Sequence, residues 1–398
     1  MPPVAVVGAG YAGMAAAVEL AGRGVPVTVF EALAVPGGRA RRVSAQGREL
    51  DNGQHILIGA YGELLRLMRT VGVSDHALLR MPLDLRYFDG FRMRAGLLGV
   101  AGALLFAGRI PLSERLGALR FMSAMKRAGF ELDEDVSVED LLERFEQGGA
   151  IAHYVWRPLC VSALNTSASE ASAQAFLVVL RDALFGGRGA SDLLLPRIDL
   201  SGLFPEPAAR FVEAHGGRIL YRTPVKDVDE LKKEFASVIV AVGPHQLKAL
   251  LPAPEFHYQP IYTCYLQYPA SMRLHFPMMG LADGLVQWVF DRGALNGENG
   301  RLACVISAQG DHQQLGHEEL AGRCHDELAR WIPGLPRPDW SLVIAEKRAT
   351  VACTPAAKGV RLAFPGVILA GDYTDPEYPP TLEAAVRSGV RAARAALG

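Results

Sequence analysis

Lysine is scarce in this sequence. Of the 41 Lys and Arg residues only seven are Lys, and 42 Asp and Glu residues bring the formal net charge to −1. Proteins that bind nucleic acid carry a clustered basic excess that neutralises phosphates, so this balance argues against nucleic acid as a partner. The 398 residues, half of them hydrophobic, suffice for two or three domains with a large core.

Cysteine is also rare, and long apolar runs are absent. The five cysteines lie far apart and form no C-x-x-C pair, which indicates reduced thiols rather than disulfides or a metal site. The longest apolar run, residues 95–108, is shorter than the roughly 18–20 residues that span a bilayer. The first residues lack the pattern of a signal peptide. We expect a cytoplasmic protein, without a metal ion, that at most rests peripherally on the inner membrane.

Two kinds of element alternate along the chain. Strand and helix patterns typical of nucleotide-binding folds occur near the start, in the middle and at the end, separated by a helical block and by a segment that alternates like an antiparallel sheet. We predict an α/β protein with two discontinuous domains. Residues 1–80, 200–255 and 345–398 form a Rossmann-like domain, and residues 81–199 and 256–344 form a substrate-binding domain of antiparallel sheet plus helices.

A glycine-rich turn opens the chain. The segment Gly8-Ala9-Gly10-Tyr11-Ala12-Gly13 lies between a strand and a helix, which is where a G-x-G-x-x-G motif binds a dinucleotide. Gly8 allows the tight turn, Gly10 lets a pyrophosphate approach the backbone, and Gly13 allows close helix–strand contact. Glu31 ends the second strand, where a carboxylate accepts the ribose hydroxyls. The pattern favours a dinucleotide site over a glycine turn without a ligand.

The next motif favours FAD over NAD. Pro36-Gly37-Gly38-Arg39 follows Glu31, and Gly38 and Arg39 can bring an amide and a guanidinium to the pyrophosphate. This pairing resembles the extended motif of the flavin-dependent amine oxidase and phytoene desaturase superfamily, whose members are GR2-type flavoproteins with a Rossmann-like FAD-binding domain. Arg41 and Arg42 are interpreted as a solvated basic face.

The resemblance extends to the middle and the end of the chain. It implies that Val225, on a central strand, contacts adenine through its backbone, and that Asp372 after Gly371 meets a ribityl hydroxyl or the pyrophosphate. It also implies that a final helix beginning near Thr381 and Leu382 points its N-terminus at the isoalloxazine, where a positive helix end would stabilise reduced flavin. Because no cysteine lies in the region where some amine oxidases tether their flavin, we expect non-covalent FAD.

A second set of segments is more specific. Asp51-Asn52-Gly53-Gln54-His55, with Trp156-Arg157-Pro158 and Gly371-Asp372-Tyr373-Thr374-Asp375, resembles the hydroxysqualene dehydroxylases, also described as squalene-associated FAD-dependent desaturases of bacterial hopanoid synthesis. Gly53, Gln54 and His55 are expected next to the flavin. Tyr373, where we would expect Trp, and the bulky loop 377–380 depart from the family pattern.

The resemblance implies a reaction and two candidate catalytic residues. The enzyme would remove the hydroxyl of hydroxysqualene and form squalene, with hydride passing from reduced flavin N5 to an allylic cation. His55 is the first candidate for the proton donor, although a structural or flavin-contacting histidine is an equal alternative. Tyr378, and beside it Tyr373, could line the pocket or face the cation, with plain packing as the alternative. Asn165 is interpreted as a helix cap.

The expected partners follow from this substrate class. A hydrophobic isoprenoid must come from a bilayer, so residues 95–106 and the following stretch, with Arg109, Arg115 and Arg120, are candidates for membrane contact, with a core helix as the alternative. The electron donor that reduces FAD is not indicated. Motifs that bind FAD do not show the direction of hydride transfer, so an isoprenoid or carotenoid desaturase stays open. A non-catalytic prenyl-binding protein of the same fold is a further alternative.

Overall fold

The computed structural model describes residues 2–95, 99–357, 363–375 and 378–398. Its strands, in chain order, are β1 (Val4–Val7), β2 (Val27–Phe30), β3 (Arg42–Ala45), β4 (Arg48–Asp51), β5 (Leu57–Ile58), β6 (Leu78–Met81), β7 (Asp84–Arg86), β8 (Arg92–Arg94), β9 (Leu193–Pro196), β10 (Arg218–Leu220), β11 (Ser237–Val240), β12 (Tyr258–Gln267), β13 (Met278–Gly280), β14 (Trp288–Asp291), β15 (Arg301–Ser307), β16 (Trp340–Val351) and β17 (Ile368–Leu369).

The helices are α1 (Tyr11–Ala21), α2 (Gly62–Thr70), α3 (Gly99–Leu105), α4 (Leu112–Arg127), α5 (Val138–Arg144), α6 (Gly149–Ile151), α7 (Arg157–Leu164), α8 (Ala173–Phe185), α9 (Leu200–Leu203), α10 (Pro205–Ala214), α11 (Val228–Glu234), α12 (Pro244–Leu247), α13 (Arg292–Asn296), α14 (His317–Ala329) and α15 (Leu382–Ala395). A π-helical turn, Ala152–Trp156, joins α6 to α7.

The first large sheet is parallel and has the order β10-β2-β1-β11-β17. All four residues of β1 are buried, as expected for a Val-rich strand in a sheet covered on both faces. Helix α1 packs under this sheet and crosses α15 closely, because a Cβ on Gly389 would lie 2.1 Å from the backbone oxygen of Ala12. The sheet therefore brings the first and last helices of the described chain together.

The second large sheet is antiparallel and has the order β13-β14-β15-β12-β16. Its residues alternate between two cores, as the period of a strand requires. On β14, Trp288 and Phe290 pack with the helical block α3–α8, whereas Val289 between them joins the core beneath α14. One face of the sheet is therefore turned toward the helical block and the other toward α14.

The predicted α/β class with a Rossmann-like sheet and a second, antiparallel sheet is confirmed. Strands of the parallel sheet come from the three segments assigned to the nucleotide-binding domain, while β16 continues to Val351, past the predicted boundary at 344. The exact domain division stays a prediction. One predicted strand position is wrong: Val225 lies in the loop between β10 and α11, where Pro224 lacks the N–H that a ladder needs.

The segment considered for membrane contact divides between core and surface. Residues 96–98 of that segment lie outside the described part of the chain. Ala103 and Leu104 of α3 are buried, whereas Phe106 is 73% exposed and Leu112, at the start of α4, is 60% exposed. Among the described residues, no helix is both long and apolar enough to cross a membrane.

Candidate functional site

The glycine-rich turn needs glycine at two of its positions. Gly8 has φ of +103°, and a Cβ there would lie 2.7 Å from the backbone oxygen of Ala241, which directly follows β11. A Cβ on Gly13 would lie 1.9 Å from the oxygen of Gly8. Gly10 immediately precedes α1 and has extended backbone, so the first N–H groups of that helix are open toward the adjoining cavity. A helix N-terminus of this kind favours an anion.

Glu31 stands at the end of β2 with both carboxylate oxygens engaged. The N–H of Ala9 donates to Oε2 at 2.7 Å, and the N–H of Leu33 donates to Oε1 at 2.8 Å. A carboxylate offers about four lone-pair sites, so two acceptor positions remain for a ligand. Glu31 also lines the cavity, which makes it available to the hydroxyls of a ribose.

An ion pair joins the two ends of the nucleotide-binding sequence. Nη2 of Arg39 donates to Oδ1 of Asp372 at 2.6 Å, and Nη1 donates to the carbonyl of Ala349 at 2.7 Å. Burial acts to lower the pKa of Arg39, but the Asp372 carboxylate, together with Glu346 and Tyr373, outweighs it and holds the pKa above its ordinary value. The guanidinium and the acid, predicted separately from distant motifs, are therefore direct partners beside the cavity.

The segment Asp51–His55 is held in place from several sides. Oδ1 of Asp51 accepts the N–H of Leu200 at 2.8 Å, and its backbone oxygen accepts the hydroxyl of Tyr265 at 3.0 Å. Asn52 donates through Nδ2 to the carbonyl of Arg39 at 2.9 Å. Burial raises the pKa of the Asp51 carboxyl to about 6. The segment is thus fixed by α9, by β12 and by the loop that carries Arg39, with Gly53, Gln54 and His55 along the cavity.

His55 is arranged as a neutral imidazole. Its Nδ1 lies 3.1 Å from the carbonyl oxygen of Gly53; because a carbonyl only accepts, Nδ1 carries the proton and Nε2 has a lone pair. Burial lowers the pKa of His55, the Gly53 hydrogen bond opposes that shift, and the charge of Arg39 adds to it. At neutral pH, His55 therefore presents an acceptor, and it becomes an acid only after protonation at Nε2.

Most of the motif residues described above line one cavity of about 770 Å³. One end consists of the glycine turns, Glu31 and the Arg39–Asp372 pair, which suit a dinucleotide. Another part of the lining comes from the second sheet and α7, and it carries the apolar residues Ala163, Ile261, Trp288, Phe290 and Val305 beside the polar residues Ser162, Asn165 and Ser307. The indole N–H of Trp288 donates to Ser162 Oγ at 2.9 Å, so its ring contributes carbon surface to the cavity.

Most of the predicted cofactor residues line this cavity. They are Gly8, Gly10, Ala12, Glu31, Gly38, Arg39, Gly53, Gln54, His55, Val225, Gly371, Asp372, Thr381 and Leu382. Ala9 and Gly13 do not line it: Ala9 donates its N–H to Glu31, and Gly13 permits the approach of α1 to the turn. Gly371 and Gly10 border the same space, as the FAD hypothesis requires. Thr381 caps α15 by accepting the N–H of Ala384 at 3.2 Å.

Tyr378 is displaced from the site predicted for it. It is buried in a small cluster with Val178 and Ala384, and the guanidinium of Arg387 lies 4.6 Å from its ring centroid. It is not among the residues that line the cavity. The structure thus supports packing rather than a catalytic role, because the loop that carries Tyr378 turns it toward α8 and α15.

Two further expectations have different outcomes. Tyr373 also lies outside the cavity lining, and its hydroxyl donates to the carbonyl of Val242 at 3.2 Å. Asn165 is confirmed as a helix cap, because it ends α7 at the C-terminal side with φ of +48°. Its Nδ2 donates to Thr350 Oγ1, and its Oδ1 accepts the N–H of Ala308.

The apolar end of the cavity was missed at the level of the sequence. Trp288, Phe290 and Val305 belong to strands with a plain alternating pattern, and nothing in that pattern tells which face meets a ligand. Arg42 differs from the solvated face expected for it, because it pairs with Asp199 at 3.0 Å and Glu206 at 2.9 Å. Arg41 lines the cavity.

Comparisons with known proteins agree with this geometry. A hydroxysqualene dehydroxylase from Zymomonas mobilis is 28% identical over 428 aligned positions, which cover 98% of each chain. A zeta-carotene desaturase from Solanum lycopersicum is 27% identical over 255 positions, covering 56% of this chain and 42% of its own. A solved oxidoreductase from Methanosarcina mazei shares the fold with a TM-score of 0.73 at 15% identity, covering 98% of this chain and 99% of its own.

The family assignment rests on most of the sequence. Residues 11–397 match the family model described as flavin containing amine oxidoreductase. The chain therefore belongs to this family and is a flavin-dependent oxidoreductase.

Proposed function

We propose that this protein binds FAD non-covalently and reductively removes the hydroxyl of hydroxysqualene to give squalene. The observation that carries the proposal is that one cavity is lined both by the dinucleotide-binding motifs and by an apolar wall of Ile261, Trp288, Phe290 and Val305. The full-length similarity to a hydroxysqualene dehydroxylase supports the choice of substrate.

The residues at the dinucleotide end fit FAD. The absence of side chains at Gly8 and Gly10 leaves backbone open for a pyrophosphate. Glu31 has acceptor positions for ribose hydroxyls, and Arg39 keeps its charge beside Asp372. Among the described residues that line the cavity there is no cysteine, which supports non-covalent binding. Reduced FAD, when bound, supplies the hydride that replaces the hydroxyl.

The protein's own contribution is to orient the substrate, exclude water and manage one proton. The apolar wall excludes water, which would otherwise add to the carbocation and form the alcohol again. Nε2 of His55 is the atom that would take up a proton and deliver it to the departing hydroxyl. Loss of that hydroxyl from an allylic carbon leaves a delocalised cation, for which the ring carbons of Trp288 and Phe290 provide a favourable surface.

An isoprenoid desaturase is the second candidate. The partial similarity to a zeta-carotene desaturase favours it, since the same cavity would suit a hydrocarbon that loses hydride instead of gaining it. A non-catalytic prenyl-binding protein is disfavoured by the intact contacts of Glu31 and Arg39. That alternative would yield a purified protein that stays colourless after addition of FAD.

One anaerobic experiment separates these functions. The flavin is reduced, hydroxysqualene is added, and flavin reoxidation is followed together with squalene formation. The proposal expects both signals in equal amounts, with no reaction between oxidised flavin and squalene. Bleaching of oxidised flavin by squalene or a carotenoid precursor, without reoxidation by hydroxysqualene, would instead establish the desaturase.

We also propose that the enzyme takes its substrate from an anionic bilayer surface. Phe106, Leu112 and Leu116 are exposed apolar residues at the junction of α3 and α4. Arg109 and Arg120 are exposed beside them, and such cations attract anionic headgroups while the apolar side chains enter the interface. The exposed residues Phe106, Arg109, Leu112, Leu116 and Arg120 together are called the α3–α4 surface below.

A further inference from the structure

Gln54 has a fixed amide orientation. Nη1 of Arg292 lies 3.0 Å from the Oε1 position of Gln54. A guanidinium has only donors, so the atom facing it must be the amide oxygen, and the NH₂ group must point the other way. This side chain lines the cavity, and its Nε2 has only one long contact in the described structure, 3.4 Å to the carbonyl of His55. Gln54 therefore offers an N–H donor to a ligand.

Arg292 is itself held rigidly in a buried position. It is 4% exposed and opens α13, directly after Asp291, whose carboxylate caps that helix by accepting the N–H of Ala294. Nε of Arg292 donates to Glu298 Oε2 at 2.9 Å, and Nη2 lies 3.5 Å from Asp51 Oδ2. The guanidinium of Arg292 therefore cannot rotate away from Gln54 without breaking its ion pairs with Asp51 and Glu298.

The location of this donor connects it with the apolar end of the cavity. Arg292 follows Phe290 by two residues, at the end of β14, the strand that contributes Phe290 and Trp288 to the wall. Among the other polar groups of the lining, the Trp288 N–H is used by Ser162, whose own hydroxyl can also donate, and neutral His55 has an acceptor at Nε2. Gln54 thus supplies a donor where the wall meets the segment Asp51–His55.

We propose that Gln54 donates a hydrogen bond to the hydroxyl oxygen of the substrate, and that Arg292 is the positioning residue that turns the Gln54 amide toward it. The inference rests on the proposed function and deepens it, because it explains how a cavity with an apolar wall selects an isoprenoid alcohol over the corresponding hydrocarbon. A site built to hydrogen-bond a hydroxyl discriminates against a ligand that lacks it, since the donor is then left unpaired.

The test compares the binding of hydroxysqualene and of squalene to the FAD-loaded, oxidised protein. Binding is measured by the change in flavin absorbance. Gln54→Met removes donor and acceptor, whereas Gln54→Glu keeps an oxygen for Arg292 and removes the donor. Both changes are expected to weaken hydroxysqualene binding about tenfold, the effect of one hydrogen bond, and to leave squalene binding unchanged. Gln314→Met, at an exposed glutamine outside the cavity lining, is the matched control.

The positioning role of Arg292 is tested by its effect on the orientation of the Gln54 amide. Arg292→Met should raise the KM for hydroxysqualene with a smaller effect on kcat, and Arg292→Lys should restore part of the loss by again facing the amide oxygen. In Gln54→Met the further change Arg292→Met should have no additional effect on selectivity between the two ligands, since the group it orients is gone. Circular dichroism and the bound-flavin content establish that each variant is folded and loaded.

Distinct outcomes overturn the inference and the function beneath it. Equal loss of both ligands in Gln54→Glu, or loss of FAD itself, would assign Gln54 to general packing or to the cofactor and overturn the inference alone. A wild-type protein that neither binds nor converts hydroxysqualene would overturn the proposed function, and the inference with it.

Discussion

Glu31 joins two roles within one side chain. It closes the glycine turn by accepting the N–H of Ala9, and it keeps acceptor positions directed at the cavity. Glu31→Ala should therefore release FAD much more readily, by about tenfold or more in Kd, because both the proposed ribose contact and the hydrogen bond that closes the turn are lost. Flavin fluorescence in the filtrate after ultrafiltration measures the release.

Glu31→Gln separates the two roles. Its amide oxygen can still accept the N–H of Ala9, so the turn is kept while the charge is removed. We expect FAD retention between that of the wild type and that of Glu31→Ala. Equal retention by all three proteins would remove Glu31 from the cofactor site.

The lowered pKa of His55 leads to a prediction about pH. Because burial favours the neutral ring, the imidazolium is populated only below the ordinary histidine value of about 6.5. If Nε2 delivers the proton, kcat should rise as pH falls through this lowered pKa and should be small at alkaline pH. Stopped-flow reoxidation of reduced flavin by hydroxysqualene, measured across pH, provides the profile.

His55→Ala should keep its FAD and lose the acidic rise in rate. His55→Gln, which keeps a polar side chain without a titrating group, is the matched variant and should give the same flat profile. An unchanged pH profile in either variant would assign the proton to another donor.

At the scale of elements, the fold around the site can be tested where α1 and α15 cross in close contact. Gly389→Ala would introduce a Cβ 2.1 Å from the oxygen of Ala12, so the two helices must separate. We expect a loss of about 1–3 kcal/mol in the free energy of unfolding, as for other overpacked sites. Thermal unfolding followed by circular dichroism measures it, and FAD retention should fall because both helices begin at the cavity.

Gly322→Ala is the control for this substitution. Gly322 lies in α14, and a Cβ at this position meets open space. The same chemical change should there leave the melting temperature unchanged or raise it, because alanine favours the helix by about 1 kcal/mol. A similar loss at both positions would show that glycine itself, and not the helix crossing, is responsible.

Element boundaries and side-chain directions were predictable to different degrees. The strand–turn–helix opening follows from the glycine spacing and the Val-rich runs, because only a few local structures satisfy them. The sequence predicts a strand at Val225, but this residue lies in a loop, because Pro224 and Arg222, with φ of +54°, end the pairing after β10. Tyr378 precedes the correct helix but faces α8, a direction that no local pattern encodes.

At the scale of the whole molecule, the α3–α4 surface gives a prediction about membrane contact. The protein should cosediment with vesicles that contain phosphatidylglycerol, and the double change Phe106→Ser and Leu112→Ser should weaken binding by about tenfold or more, since each side chain contributes apolar burial. High salt should also weaken it by screening Arg109 and Arg120.

The matched control for the vesicle assay is Trp331→Ser. Trp331 is 44% exposed and lies two residues after the end of α14, away from the α3–α4 surface in sequence. Its replacement should leave cosedimentation unchanged. Equal binding by the wild type and the double variant would reject the α3–α4 surface as the contact.

The sequence alone determined where the dinucleotide motifs of this protein lie. A tight turn and the close approach of a phosphate restrict a few positions to glycine, and an acid is needed at the end of the neighbouring strand. These requirements are local, so the spacing of the residues along the chain reveals them. The tertiary structure alone decided which distant groups meet: Arg39 with Asp372, and Arg292 with Gln54. It also decided that the cavity continues along one face of the second sheet, because alternation creates two equivalent faces and only the packing of the helical block and α14 makes them different.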